Sequence, residues 1–231
     1  MNDANVLLAF EVNKNDGPWT DIKEKLKKYN GLLKYSYPVN DGTFSWTFMA
    51  YSNQWNSADQ IPTRAVDQGI IDKLGSIDDT VGGESSRYSA SLHWQNSNWH
   101  ALAYLIRYDM NLWSNFSYFL DDEIKGDQFE QLDERLIYGG DLSYVFETDW
   151  SGILFENKIA VESRIDDIDE VGLYKTEARQ RRGTIRRDSV DEKSLGLYWQ
   201  SQTLWTPQFR TLLGARYDYY NFQNINRAGT N

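Results

Sequence analysis

Two histidines, His93 and His100, flank a short polar segment and are the only imidazoles in the chain. Neither belongs to an HExxH helix or a comparable zinc spacing, so no metal centre is expected from them. The stretch 55–84 carries Asp72, Asp78, Asp79 and Glu84 beside Gly75, Gly82 and Gly83. A calcium loop needs carboxylates at fixed alternate positions with a closing Glu, and that spacing is not met. Between 165 and 193 lie Asp166, Asp167, Asp169 and Glu170, then Arg179, Arg181, Arg182, Arg186 and Arg187, then Asp188, Asp191 and Glu192. Five guanidinium forks could hold a carboxylate or phosphate; the preferred expectation is a loop hairpin that pairs its own charges. There is no Gly-x-Ser-x-Gly elbow, no phosphate loop and no cysteine nucleophile. Carboxylate pairs are too common in an acidic chain to specify a glycosidase. No catalytic residue, metal site or cofactor is therefore expected, ligand-binding residues stay unassigned, and the chain is read as no enzyme.

The elements that would carry these residues announce themselves by period two. Tyr88, Ala90, Leu92 and Trp94 alternate with Arg87, Ser89, Ser91, His93 and Gln95. Leu195, Leu197 and Trp199 alternate with Ser194, Gly196, Tyr198, Gln200 and Gln202. Phe209, Thr211, Leu213, Ala215, Tyr217 and Tyr219 alternate with Arg210, Leu212, Gly214, Arg216 and Asp218. Such alternation gives a strand one apolar side and one wet side. Further strands are expected near 4–12, 28–37, 43–54, 99–112, 135–147 and 153–164, about nine in all. Phe44, Trp46, Phe48 and Ala50 form one apolar stripe, Leu102, Tyr104, Ile106 and Tyr108 another, and Ile153, Phe155, Ile159 and Val161 a third. The polar faces then hold Arg87, His93, Arg107, Asp109, Asp141, Glu156, Lys158, Glu162, Arg164, Arg210, Arg216 and Asp218. Pro18, Pro38, Pro62 and Pro207 are all placed between strands, where a missing N–H costs no ladder bond.

Strands of this length match the roughly 9–11 residues that cross a bilayer at a tilt. Short turns are expected at 38–42, 95–98, 148–152 and 204–208, and long polar loops at about 13–27, 55–84, 113–134 and 165–193. Soluble domains seldom carry long structureless loops. Short turns at one rim and long loops at the other is the habit of outer-membrane barrels. Nine Trp and fifteen Tyr against three Met suit surfaces between water and hydrocarbon. Trp46, Trp94, Trp199 and Tyr219 are expected to face lipid or the interface girdle. A net charge of −10 argues against nucleic acid as partner.

Several stretches resemble the barrel domain of TonB-dependent receptors. They are Asp16-Gly17-Pro18-Trp19 followed by Tyr29-Asn30-Gly31-Leu32-Leu33-Lys34-Tyr35, Trp55 to Ala65 with Asp59-Gln60-Ile61-Pro62 at its centre, Gly82 to Tyr88, Val190 to Tyr198, and Leu212 to Asp218. The Asp-Gln-Ile-Pro element and the Gly-Ala-Arg-Tyr-Asp strand carry most of the likeness, which spans nearly the whole chain. The resemblance implies an all-β, antiparallel transmembrane barrel of the Gram-negative outer membrane, with lipid bilayer outside and, in the full-length parent, a plug domain and the TonB complex as partners. It also implies active uptake of a nutrient such as a ferric siderophore or another large complex. Residues 1–231 are read as part of that barrel domain. The first residues show no basic n-region and 226–231 read as a polar turn, so a fragment without plug or energy-coupling box is expected, exposing unpaired edges if made alone. The transported cargo is unknown. Two rivals share the pattern: a passive porin or structural outer-membrane barrel, and a secreted carbohydrate-binding β-sandwich.

Overall fold

The computed structural model describes residues 4–229; the expectations about the extreme ends, 1–3 and 230–231, lie outside them. Nine strands form one sheet, each paired antiparallel to the next in chain order: β1 (Asn5–Asn15), β2 (Leu26–Val39), β3 (Gly42–Asn56), β4 (Gly82–Gln95), β5 (Trp99–Ser114), β6 (Phe129–Trp150), β7 (Ile153–Glu177), β8 (Gln180–Thr206) and β9 (Phe209–Ala228). A single-turn helix, α1 (Thr63–Asp67), follows β3. All nine expected strands are present. A sandwich needs two facing sheets, and the described residues form one.

Tight turns close the hairpins at one rim. Asn40 takes a positive φ of 54° between β2 and β3, and Ser151-Gly152 do so at 55° and 80° between β6 and β7, matching the twist of the flanking strands. Between β4 and β5, Asn96 Oδ1 accepts the N–H of Asn98 at 3.0 Å and of Trp99 at 2.7 Å. The opposite rim carries the segments 16–25, 57–81 and 115–128.

Three expectations need correction. The charged stretch 165–193 is no loop: β7 runs on to Glu177 and β8 begins at Gln180, leaving only Ala178-Arg179 as the turn. Its charges defeat a hydropathy reading because ion pairs line much of these strand ends. Pro38 lies inside β2, paired with Thr43; among the described residues β1 pairs β2 as far as Ser36, so the proline sits at the end of the β1–β2 ladder. On β5 the faces are reversed. Leu102, Tyr104, Ile106 and Tyr108 stand in register with His93, Ser91, Ser89 and Arg87 of the polar face, whereas Arg107 and Asp109 stand with Tyr88 and Ser86.

Register joins the apolar side chains into continuous rows. One runs Leu8, Leu33, Phe48, Ala90, Leu105, Tyr138, Ile165 across β1 to β7. These chains are uncovered: Leu92 is 48% exposed, Leu197 51% and Leu213 63%. Trp46, Trp94, Trp199 and Tyr219 all lie on this face. The buried apolar side chains, Ile22, Val81, Tyr118, Leu132, Ile168 and Tyr174, sit instead in the long-segment half of the molecule. Register shifts between β6, β7 and β8 fall in the same half, at 134/135, 168/171, 173/174 and 175/176, where bulges bend the strands.

Candidate functional site

The polar face is organised by a local rule of the strand. Residues i and i+2 point the same way, so an arginine two positions from an aspartate forks onto it. Arg164 donates to Asp166 at 2.6 and 2.7 Å, Arg216 to Asp218 at 2.8–3.0 Å, and Arg135 to Asp133 through Nε at 2.7 Å. Arg107 and Asp109 form the same fork on the opposite face, at the border of the apolar rows, and nearer the hairpin tip Arg186 donates to Asp188 through Nε alone.

One hydrogen-bonded row collects the face: Ser36, Ser45, His93, Leu102, Asp141, Glu162, Gly196 and Asp218 in successive strands. The Ser36 and Ser45 hydroxyls are 2.9 Å apart, and His100 Nδ1 lies 2.8 Å from Asp141. Arg216 reaches from β9 to Glu162 on β7 at 2.7 Å, over the β8 position occupied by Gly196. A Cβ there would come within 2.6 Å of the guanidinium, so the absent side chain is what lets the fork bridge two strands. Around it lies a polar depression of about 250 Å³ bounded by Tyr104, Arg164, Ser194 and Tyr220. The arginines of these pairs are exposed to water, which screens the pairing and leaves it little net effect on stability. What they provide is a wet, charge-balanced surface. Two larger grooves, of about 610 and 680 Å³, lie on the apolar face and are walled mainly by aliphatic and aromatic side chains.

At the opposite rim the 57–81 and 115–128 segments meet the β7–β8 tip in a largely buried polar junction. Arg179, at the β7–β8 tip, donates to the carbonyls of Thr80 (2.6 Å) and Val81 (3.0 Å) and to Asn56 Oδ1 (2.9 Å), and its backbone N–H donates to Gln128 Oε1 (2.8 Å). Gln128 donates in turn to Asp78 and to the Thr80 hydroxyl, and accepts from Thr176. Asp78 also accepts from Asn115, and the Asn115 N–H donates to Asp59 at 2.6 Å. The Tyr118 hydroxyl donates to the Gln60 carbonyl at 2.6 Å. The Asp59-Gln60-Ile61-Pro62 element thus anchors the 57–81 segment to the 115–128 segment. Its signal in the sequence was visible, but its partners were not.

Burial sets the electrostatics here. It pushes the Tyr118 phenol up to about 12, with the Asp59 and Asp78 charges adding to the shift. It also raises Asp59, against the Asn115 N–H that accompanies the charged form. Asp78 is half-buried too, yet hydrogen bonds from Asn115, Thr80 and Gln128 outweigh that and hold its carboxyl below the ordinary value. Asp127 behaves alike, accepting backbone N–H groups from Leu120, Asp121 and Asp122.

The arginine cluster does not form an open anion site. Arg181 pairs with Glu130 at 2.6 Å, Arg182 with Asp122 at 3.2 Å, Arg187 with Glu170 at 2.6 Å, and Arg186 with Asp188. Pairing runs within the hairpin and onto β6 and the 115–128 segment. No group of three or more His, Asp or Glu among the described residues is placed to hold a metal ion. A protein-family model described as TonB dependent receptor-like, beta-barrel, matches residues 19–231. No curated protein matches the chain.

Proposed function

The chain belongs to the TonB-dependent receptor-like β-barrel family, and from that premise we propose that residues 1–231 form part of the wall of an outer-membrane receptor that actively takes up a nutrient. The reading is carried by one observation: one side of the sheet is an uncovered apolar surface, and the other is polar and carries self-paired arginine–carboxylate forks on β6 to β9. An uncovered apolar face of this size is intolerable in water and suited to acyl chains. The charged face then lines the lumen and meets the plug, whose movement is driven through TonB. The segments at the other rim are extracellular and help to capture cargo, a ferric siderophore or another complex too large for diffusion. A barrel of this class closes with about 22 strands, so the nine described here supply one sector.

Accumulation separates this from a passive pore. Cells carrying the intact protein are given ferric siderophores, haem, cobalamin or oligosaccharides, with and without a protonophore. Saturable accumulation of one cargo that stops on uncoupling is the expected result. Entry unaffected by uncoupling, rising linearly with concentration, overturns the reading in favour of a porin.

A further inference from the structure

The hairpin β4–β5 brings together the only two imidazoles of the chain. Ring centroids of His93 and His100 are 4.7 Å apart and the planes are inclined by 56°. Both sit on the polar face, beside the short Asn96–Asn98 turn. His100 is oriented from β6: its Nδ1 is 2.8 Å from Asp141 Oδ1. A carboxylate accepts, so the hydrogen is assigned to Nδ1 and the Nε2 lone pair is left available. His93 makes no hydrogen bond among the described residues.

A carboxylate behind one imidazole, with a second imidazole beside it, is the outer arrangement that orients and strengthens a metal-ligating histidine. Metal–nitrogen bonds of about 2.0–2.1 Å allow two nitrogens on one ion to stand up to about 4 Å apart. Nitrogens lie off their ring centroids, so rotation about χ2 brings rings at this spacing into that span. We propose that His93 and His100 form a two-imidazole site for a divalent transition cation, with Asp141 as the positioning residue. Imidazole selects copper, nickel and zinc over magnesium or calcium, and copper(II) binds such donors most tightly. Two protein ligands leave the remaining positions to water or to a donor carried by another molecule. Binding is therefore exchangeable rather than structural. The site lies away from the loop junction and stands whether or not the uptake reading above is correct.

The test uses the intact detergent-solubilised protein and copper(II) alone, in a buffer without chelating groups. Electron paramagnetic resonance is expected to show splitting from two imidazole nitrogens in the unmodified protein, which needs no variant and so no assumption about folding. His93→Gln and His100→Gln each reduce the pattern to one nitrogen and weaken binding by about tenfold or more. Asp141→Asn keeps both nitrogens and weakens binding by about 10–100-fold, the signature of a residue acting through His100. The heat-modifiable gel mobility of barrels checks each variant's fold. Absence of binding below about 1 mM, a spectrum without imidazole nitrogen, or identical binding in the folded double variant each overturns the site.

Discussion

Asp59 and Asp78 share a junction yet are driven in opposite directions, and that difference is measurable. Asp59 is raised by burial, so the folded state holds its proton more tightly than the unfolded chain does. As pH falls from neutral through the raised value towards 3.8, its protonation adds stability. Burial raises Asp78 and Asp127, but hydrogen bonds that favour the carboxylate over the neutral acid outweigh it and leave both depressed. Their contribution is complete above 3.8 and is lost as pH falls below it, through their lowered values. Loop protection should therefore rise on mild acidification and collapse below about pH 4. Amide exchange across 57–81 and 115–128, corrected for its intrinsic pH dependence, reads this directly. Asp59→Asn should remove the rise and keep the collapse; a steady decline from neutrality in both proteins contradicts the assignment.

The β7–β8 hairpin is the element that ties the rim together, and Arg179 is its clamp. The turn needs Ala178 and Arg179 at φ 49° and 65°, a left-handed conformation costly to both residues. The guanidinium bonds to the 57–81 segment and the N–H bond to Gln128 offset that cost. Arg179→Ala leaves the Thr80 and Val81 carbonyls without this donor. A charged hydrogen bond contributes about 1.5–3 kcal/mol, so local opening should increase about tenfold to a hundredfold. Limited proteolysis should then cut 57–81 and 115–128 together; cutting of one alone shows that the segments are not coupled. Ala178→Gly relieves φ without touching a partner and should slow the same cleavage. Little of this clamp was legible in the sequence, because its bonds span up to 123 positions. The forks were legible in principle: Arg164-x-Asp166, Arg186-x-Asp188 and Arg216-x-Asp218 declare a strand as surely as alternating leucines do, and they mark 165–193 as strand where hydropathy suggests loop. β5 misleads for a different reason. Its outward side chains include the small Ala101 and Ala103, while Ile106 faces inward against Ile137. A period-two reading takes the bulkier stripe for the lipid side, and only register with β4 decides.

Across the whole sheet the apolar band does not follow the hydrogen-bonded rows; it crosses them. The row that is apolar from Leu8 through Phe48 and Ala90 to Ile165 ends in Lys193 and Asn221 on β8 and β9. A lower row, Trp99, Tyr144, Ile159, Trp199 and Ala215, is apolar on β5 to β9, whereas on β4 it falls in the turn. Rows are perpendicular to strands, so a band oblique to the rows means strands oblique to the bilayer, as a tilt of about 35–45° requires. Depth, not row, should therefore set the cost of a charge. Ala90→Lys and Leu197→Lys lie in different rows but both mid-band, and each should destabilise the lipid-embedded protein by about 2–4 kcal/mol. Lys193→Leu, in the same row as Ala90, should change stability little. Denaturant titration of the intact protein in lipid vesicles ranks the three. If Lys193→Leu stabilises the protein by about as much as Ala90→Lys destabilises it, the two positions share one depth, the strands run along the membrane normal and the tilted-wall account fails.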